Sequence, residues 1–388
     1  MSPAPLPAGL VERVADRVVR GGADLTPDAV AAAVRAEGSV ADGATVLGLV
    51  AAVRSELTGA GPLDALLHEP EVSDVLVNAP DQVWVDRGAG LERSAVSFRD
   101  EAAVRRLAQR LAAAAGRRLD VASPTVDARL PDGTRLHAVL PPVSPSGTLI
   151  SLRVARRQAF ALEELVDRGT VVPVVASVLR GLVTARASFL VTGGTGTGKT
   201  TLLSTLLSEV DARERIVLVE DSGELRPDHP HVVRLEARWV NVEGRGEVDL
   251  RTLVRQALRM RPDRLVVGEV RGAEVVDLLS ALNTGHDGGC GTVHANDCRA
   301  LPARVEALAL AAGLGREAAH SQLASGVDAV VHLARSRDGK RRVAEVGVLE
   351  RCDDGSVRVC PAVEVDAAGR CREGPGAAPL AGLIACSP

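Results

Sequence analysis

Residues Gly193-Gly194-Thr195-Gly196-Thr197-Gly198-Lys199-Thr200 set a first glycine apart from Gly-Lys-Thr by four intervening residues. That spacing is the pattern of a phosphate-cradling loop, provided that a strand precedes it and a helix follows. Ser188-Phe189-Leu190-Val191 supplies the strand, and Thr201-Leu202-Leu203 opens the helix. The glycines let successive backbone N–H groups turn inward onto phosphate oxygens, and the helix N-terminus adds partial positive charge. Lys199 brings a point charge to the β- and γ-phosphates, and the Thr200 hydroxyl is suited to Mg²⁺. The expected ligands are ATP and Mg²⁺.

Holding a phosphate does not hydrolyse it. Hydrolysis needs a carboxylate to orient water and a cation to offset charge on the γ-phosphoryl group. Glu220, Asp221 and Glu224 follow an apolar run over 216–219. This puts them at the carboxyl edge of the expected sheet, where open α/β folds bind ligands. Arg264-Leu265-Val266-Val267-Gly268-Glu269 reads as a Walker B strand with Gly268 in place of the usual metal-holding Asp, so Glu269 is expected to hold Mg²⁺ through water. His286 and His294 lie in the segment 284–296, and His294 follows a short expected strand, where a side chain can contact a phosphate or report its loss. Cationic candidates are Arg234, Arg238, Arg255, Arg259, Arg261 and Arg271, with Arg129 and Arg135 flanking a turn over 130–134. An arginine delivered from another domain or subunit can switch hydrolysis on when it reaches the γ-phosphate.

These residues need elements to position them. The runs 189–192, 216–220, 265–268 and 291–294 are short, apolar and bounded by polar or glycine loops, as in a parallel sheet buried on both faces with helical crossovers. Ahead of them, strands are expected at 72–77, 83–85, 125–130, 135–140 and 148–154, with a helix over 100–115. The fold class is therefore α/β: a P-loop domain over 176–350, behind a smaller α+β domain over 59–155. Residues 1–58 are expected to be helical, 156–175 to be a linker, and 351–388 a poorly ordered tail.

Composition narrows the functions available. At 388 residues, with 46% hydrophobic and 25% charged, the chain can build two cores. Its only aromatics are Phe98, Phe160, Phe189, Trp84 and Trp239, so stacking surfaces for single-stranded nucleic acid are nearly excluded. A net charge of -4 offers no global attraction to a polyanion. No signal sequence or apolar span is legible, which leads to the expectation of a cytoplasmic protein without direct membrane insertion. The six cysteines form no C-x-x-C pair and are expected to be inert thiols rather than zinc ligands or redox centres.

Together the Walker A loop, the Glu220-Asp221 box, the segment 258–272 and the histidine segment 284–296 resemble the secretion ATPase superfamily of type II and type IV secretion and pilus assembly. Gly61-Pro62-Leu63, Val77-Asn78-Ala79-Pro80-Asp81 and the segment 127–135 are similar to its Tad/Flp-pilus, CpaF-like branch. The resemblance covers about residues 60 to 350. It implies a RecA-like ATPase domain in a homo-hexameric ring, with nucleotide between the two domains of a subunit. It also implies work with an inner-membrane platform, at the inner face of the cytoplasmic membrane. By the same resemblance Glu224 is the catalytic base, Glu269 the Walker B acid, and His286 and His294 the histidine pair. Arg129 and Arg135 are then N-domain arginines approaching phosphate, with Arg234 and Arg238 behind the acidic box. Cys290, Gly291 and the cysteine-bearing tail depart from the pattern. The alternatives are a DNA-translocating motor of the same core fold and an interaction scaffold with a degenerate site.

Overall fold

Strand residues that alternate in sidedness, and strands apolar throughout, demand different surroundings, and the two halves of this chain divide on that difference. The computed structural model describes residues 13, 14, 17, 26–36, 49–50, 53–55, 57, 59–88, 90–154, 159–238, 246–336 and 339–385. Most of the helical segment expected over 1–58 lies outside them; within it, α1 (Pro27–Ala36) is helical. The chain divides into two units, Met1–Ala155 and Arg156–Pro388.

In the first unit a short helix, α2 (Asp64–Leu67), precedes β1 (Asp74–Ala79), β2 (Gln82–Asp86) and β3 (Leu91–Arg93). Helix α3 (Glu101–Ala114) leads to β4 (Thr125–Arg129), β5 (Arg135–Val139) and β6 (Leu149–Arg153). The strands form an antiparallel sheet in the order β3-β2-β1-β6-β5-β4. Period-two alternation sends Val75, Val77, Val83, Val85, Leu136 and Leu152 to one fully buried face. They pack with the α3 stripe Val104, Leu107, Ala108 and Leu111, a helical spacing. Asp100 starts α3 by accepting the Ala103 N–H at 2.8 Å. The other face is polar: Asp127, Arg135, His137, Ser151 and Arg153 line a hollow of about 520 Å³. Trp84, half-buried, alternates with Val83 and Val85 and so faces that side.

The second unit holds a sheet ordered β15-β14-β13-β12-β7-β11-β10-β8-β9. Helices α4 (Leu162–Asp167) and α5 (Pro173–Thr184) lead into β7 (Phe189–Gly193), followed by α6 (Lys199–Ser208), β8 (Ile216–Glu220) and β9 (Val232–Glu236). Next come α7 (Leu250–Ala257), β10 (Arg264–Val270), α8 (Glu274–Leu282), β11 (Cys290–Val293), α9 (Leu301–Ala311) and α10 (Arg316–Gly326). Then follow β12 (Ala329–Arg335), β13 (Arg341–Arg351), β14 (Val357–Val365), β15 (Cys371–Glu373) and α11 (Ala377–Ala385). From β12 to β9 all neighbours are parallel. Two cores explain the apolar runs: Phe189 and Val191 pack under α5 and α6, while Leu190 packs with α7 to α10 on the other face. Among the described residues no helix is long and apolar enough to cross a membrane.

Two expectations are corrected. Residues 156–175 are not a bare linker, because Leu162, Leu165 and Val171 are buried in the core of the second unit. The tail is not poorly ordered: β14 pairs along β13, β15 pairs with β14, and α11 buries Leu380. Pro361 hid the strand from periodicity. It carries no ladder N–H and sits opposite Gly347, where the β13–β14 register shifts.

Candidate functional site

The P-loop joins the central strand β7 to α6, and its backbone requires glycine. Gly198 has φ +96°, the left-handed region, and a Cβ at Gly193 would lie 2.6 Å from the Leu333 carbonyl oxygen. Thr197 Oγ1 donates to the Gly194 carbonyl at 2.9 Å, and Lys199 Nζ donates to those of Gly193 and Gly194, each at 3.0 Å. Thr195 and Gly196 are exposed at the rim, while Thr200 and Thr201 open α6 half-buried. Burial holds the Lys199 ammonium below its usual pKa; Glu269 opposes that shift, Arg271 adds to it and Glu224 opposes it. The loop lysine therefore shares one electrostatic neighbourhood with the ends of β8 and β10.

Parallel pairing puts those ends together. β10 lies between β8 and β11, and β11 pairs with β7 from Cys290↔Phe189 to Val293↔Thr192. Just past β10, Arg271 Nη2 donates to Glu269 Oε2 at 2.5 Å, and Nη1 lies 3.9 Å from Asp221 Oδ2. Arg271 thus ties the Walker B acid to the acidic box. Its own backbone N–H and that of Gly272 are held by Glu274 Oε1 at 2.6 and 2.8 Å. Sequence reasoning left Arg271 in a pool of cationic candidates, because nothing local distinguishes it from the others.

Glu220 corrects the reading of the acidic box. Only 3% exposed, it turns Oε1 onto the N–H groups of Glu224 and Leu225 at 2.8 and 2.9 Å. Burial pushes its pKa up to about 7, against the pull of these N–H groups. It acts on the loop backbone, as Glu236 does by accepting the Gly223 N–H at 3.1 Å. The loop so held carries Glu224. Gly268 makes room for this: a Cβ there would meet Glu220 Cγ at 2.7 Å.

The remaining candidates separate. His294 follows β11 at the P-loop edge of the sheet. His286 precedes β11 and lies at the opposite edge, where Gly289 O accepts the Phe189 N–H. The four residues of β11 put the two histidines roughly 13 Å or more apart, so His286 is not brought to the P-loop of its own chain. Arg234 is exposed on the edge strand β9. Arg238 bridges backbone to backbone with Val248 and lines a cleft of about 240 Å³ with Asp221, Arg271 and Glu274. Arg129 and Arg135 belong to the first unit and face each other across β4 and β5, with Arg135 3.6 Å from Asp127. Arg335 and Arg341, which the sequence did not single out, lie beside the P-loop.

A profile of the family described as "Type II/IV secretion system protein" matches residues 56–372. A protein of Mycobacterium tuberculosis strain H37Rv, named for conjugal transfer, is 59% identical over 314 residues, spanning 79% of this chain and 89% of the relative. The type IV secretion system protein VirB11 of Brucella suis is 30% identical over 316 residues, spanning 74% and 88%. Among solved structures, the pilus retraction motor PilT with bound ADP is similar at TM-score 0.53 and 18% identity, covering 82% of this chain and 84% of that one. The Yersinia pseudotuberculosis ATPase DotB gives 0.51 and 17%, covering 75% of each. At these identities the two structures speak for the fold.

Proposed function

The chain belongs to the type II/IV secretion system protein family, and on that basis we propose that it is an ATPase, a ring motor driving Tad/Flp-type pilus assembly or protein secretion. The observation that carries the reading is Lys199, held on the P-loop within the field of Glu269, Arg271 and Glu224. In this scheme the loop N–H groups and Lys199 grip the phosphates. Glu224, on the loop braced by Glu220, orients the attacking water. Glu269 is held in place by Arg271, and His294 stands at the same sheet edge to sense the terminal phosphate. The arginines of the first unit, Arg129 and Arg135, and the edge residues Arg234 and Arg238 are candidates to offset transition-state charge.

Mg²⁺ fits this donor set. The Thr200 hydroxyl would bind it directly and Glu269 through water, a hard-oxygen arrangement with no second protein carboxylate because Gly268 occupies that place. The metal would neutralise charge on the phosphates. We further propose a homo-hexamer working at the cytoplasmic face of the inner membrane, against platform proteins that turn domain movement into extrusion. A direct grip on DNA finds little support in a chain without tyrosine and with net charge -4.

The test is Mg²⁺-dependent ATP hydrolysis by the purified chain at high protein concentration. Glu224→Gln is expected to bind ATP with near-normal affinity and to hydrolyse it at least about 100-fold more slowly, and Lys199→Ala to lose binding. Hydrolysis that survives both substitutions would sink the proposal.

A further inference from the structure

The P-loop has two flanks, and only one has been given a task. On the flank of β11, β10 and β8 stand Glu269, Glu224, Asp221 and Arg271. The other flank is the hairpin of β12 and β13, since β12 is the second neighbour of β7. Arg335 ends β12, Arg341 begins β13, and the two are register partners. Directly opposed residues in an antiparallel pair share a face, and like charges so placed destabilise the hairpin. The pair sits against the loop: a Cβ at Gly196 would lie 3.8 Å from Arg335 Nη1, and one at Gly198 would lie 3.6 Å from Arg341 Cδ. Arg341 Nε is buried without a hydrogen-bond partner among the described residues, an unmet donor beside a phosphate-binding loop. Arg335 is steered by its Nε, which donates to the Gly339 carbonyl at 3.2 Å.

We propose that Arg335 and Arg341 seat the nucleoside end of the nucleotide, its α-phosphate and purine base, on the β12–β13 flank. This rests on the ATP-binding reading and gives the site a polarity. The carboxylates that share a field with Lys199 claim the γ-phosphoryl for their flank, so the α-phosphate and base leave by the other. A base also needs a flat partner, and aromatic residues are scarce here. Phe189 is 2% exposed within a core, and Phe160 lies beneath the Arg168 guanidinium. A guanidinium plane can stack on a base and its donors can reach a phosphate, so one residue type answers both needs.

The experiment compares ADP with inorganic pyrophosphate, which fills the two phosphate positions nearest Lys199 and carries neither α-phosphate nor nucleoside, by titration calorimetry on the full chain. Arg335→Ala and Arg341→Ala are each expected to weaken ADP about 10-fold and to leave pyrophosphate affinity within about twofold. In ATP hydrolysis the same variants should raise KM with little change in kcat. Retained pyrophosphate binding shows that the loop is still folded. Equal losses for both ligands, or no loss for ADP, would overturn the proposal. A wild-type chain that binds neither ligand would instead defeat the nucleotide reading on which it rests.

Discussion

A methyl group at position 268 would come within 2.7 Å of Glu220 Cγ, so two residues from different strands share one small volume. Gly268→Ala should push the Glu220 carboxylate off the N–H groups of Glu224 and Leu225 and lower kcat about 10-fold, with ADP affinity near wild type. Because Glu220→Ala vacates the same volume, adding Gly268→Ala to it should cost almost nothing more. Additive losses in that double-mutant cycle would break the link between the two positions. The carboxyl also makes a statement about pH. Its folded pKa of about 7 exceeds the ordinary 4.5, so the native chain binds the extra proton. Stability from this group is full below 4.5 and is lost as pH rises through about 7. Glu220→Gln keeps a carbonyl oxygen for both N–H groups and removes the titration. Its urea midpoint should gain on wild type across that interval, and parallel pH curves would show that Glu220 is not the group responsible.

At the scale of elements, α11 is the surprise. It docks on α5 where Gly181 leaves a gap: a Cβ there would meet Ile384 Cγ2 at 2.4 Å. Gly181→Val should lift α11 from its seat and destabilise the second unit by about 1–3 kcal/mol, seen in denaturant unfolding and in faster proteolytic loss of the C-terminal helix. Ile384→Ala in the same chain should recover part of the loss, and no recovery would place the strain elsewhere. Strands β7, β8, β10 and β11 were legible because each is an apolar run with a chemical residue at its end. β14 was not, because Pro361 interrupts its periodicity and its pairing with β13 is supplied by register. His286 parts from His294 for a similar reason. Two histidines flanking one strand look alike in a string, yet parallel pairing sends the residue before the strand and the residue after it to opposite edges.

Across the whole molecule, what the sequence could reveal was whatever it writes contiguously. Gly193 to Thr200 and Arg264 to Glu269 carry their chemistry in neighbouring positions, and the family follows from them. The brace from Glu220 to the loop over Gly268, the tie from Arg271 to Asp221, and the pairing of Arg335 with Arg341 exist only once strands stand side by side. Each unit also builds its own core, and that division has a spectroscopic consequence. The chain has no tyrosine, and its two tryptophans are Trp84 and Trp239. Trp84 sits on the polar face of the first sheet. With Trp239→Phe in place, all indole emission comes from the first unit, while the P-loop lies in the second. A wavelength shift on adding ATP would then be light emitted by one unit in response to chemistry in the other.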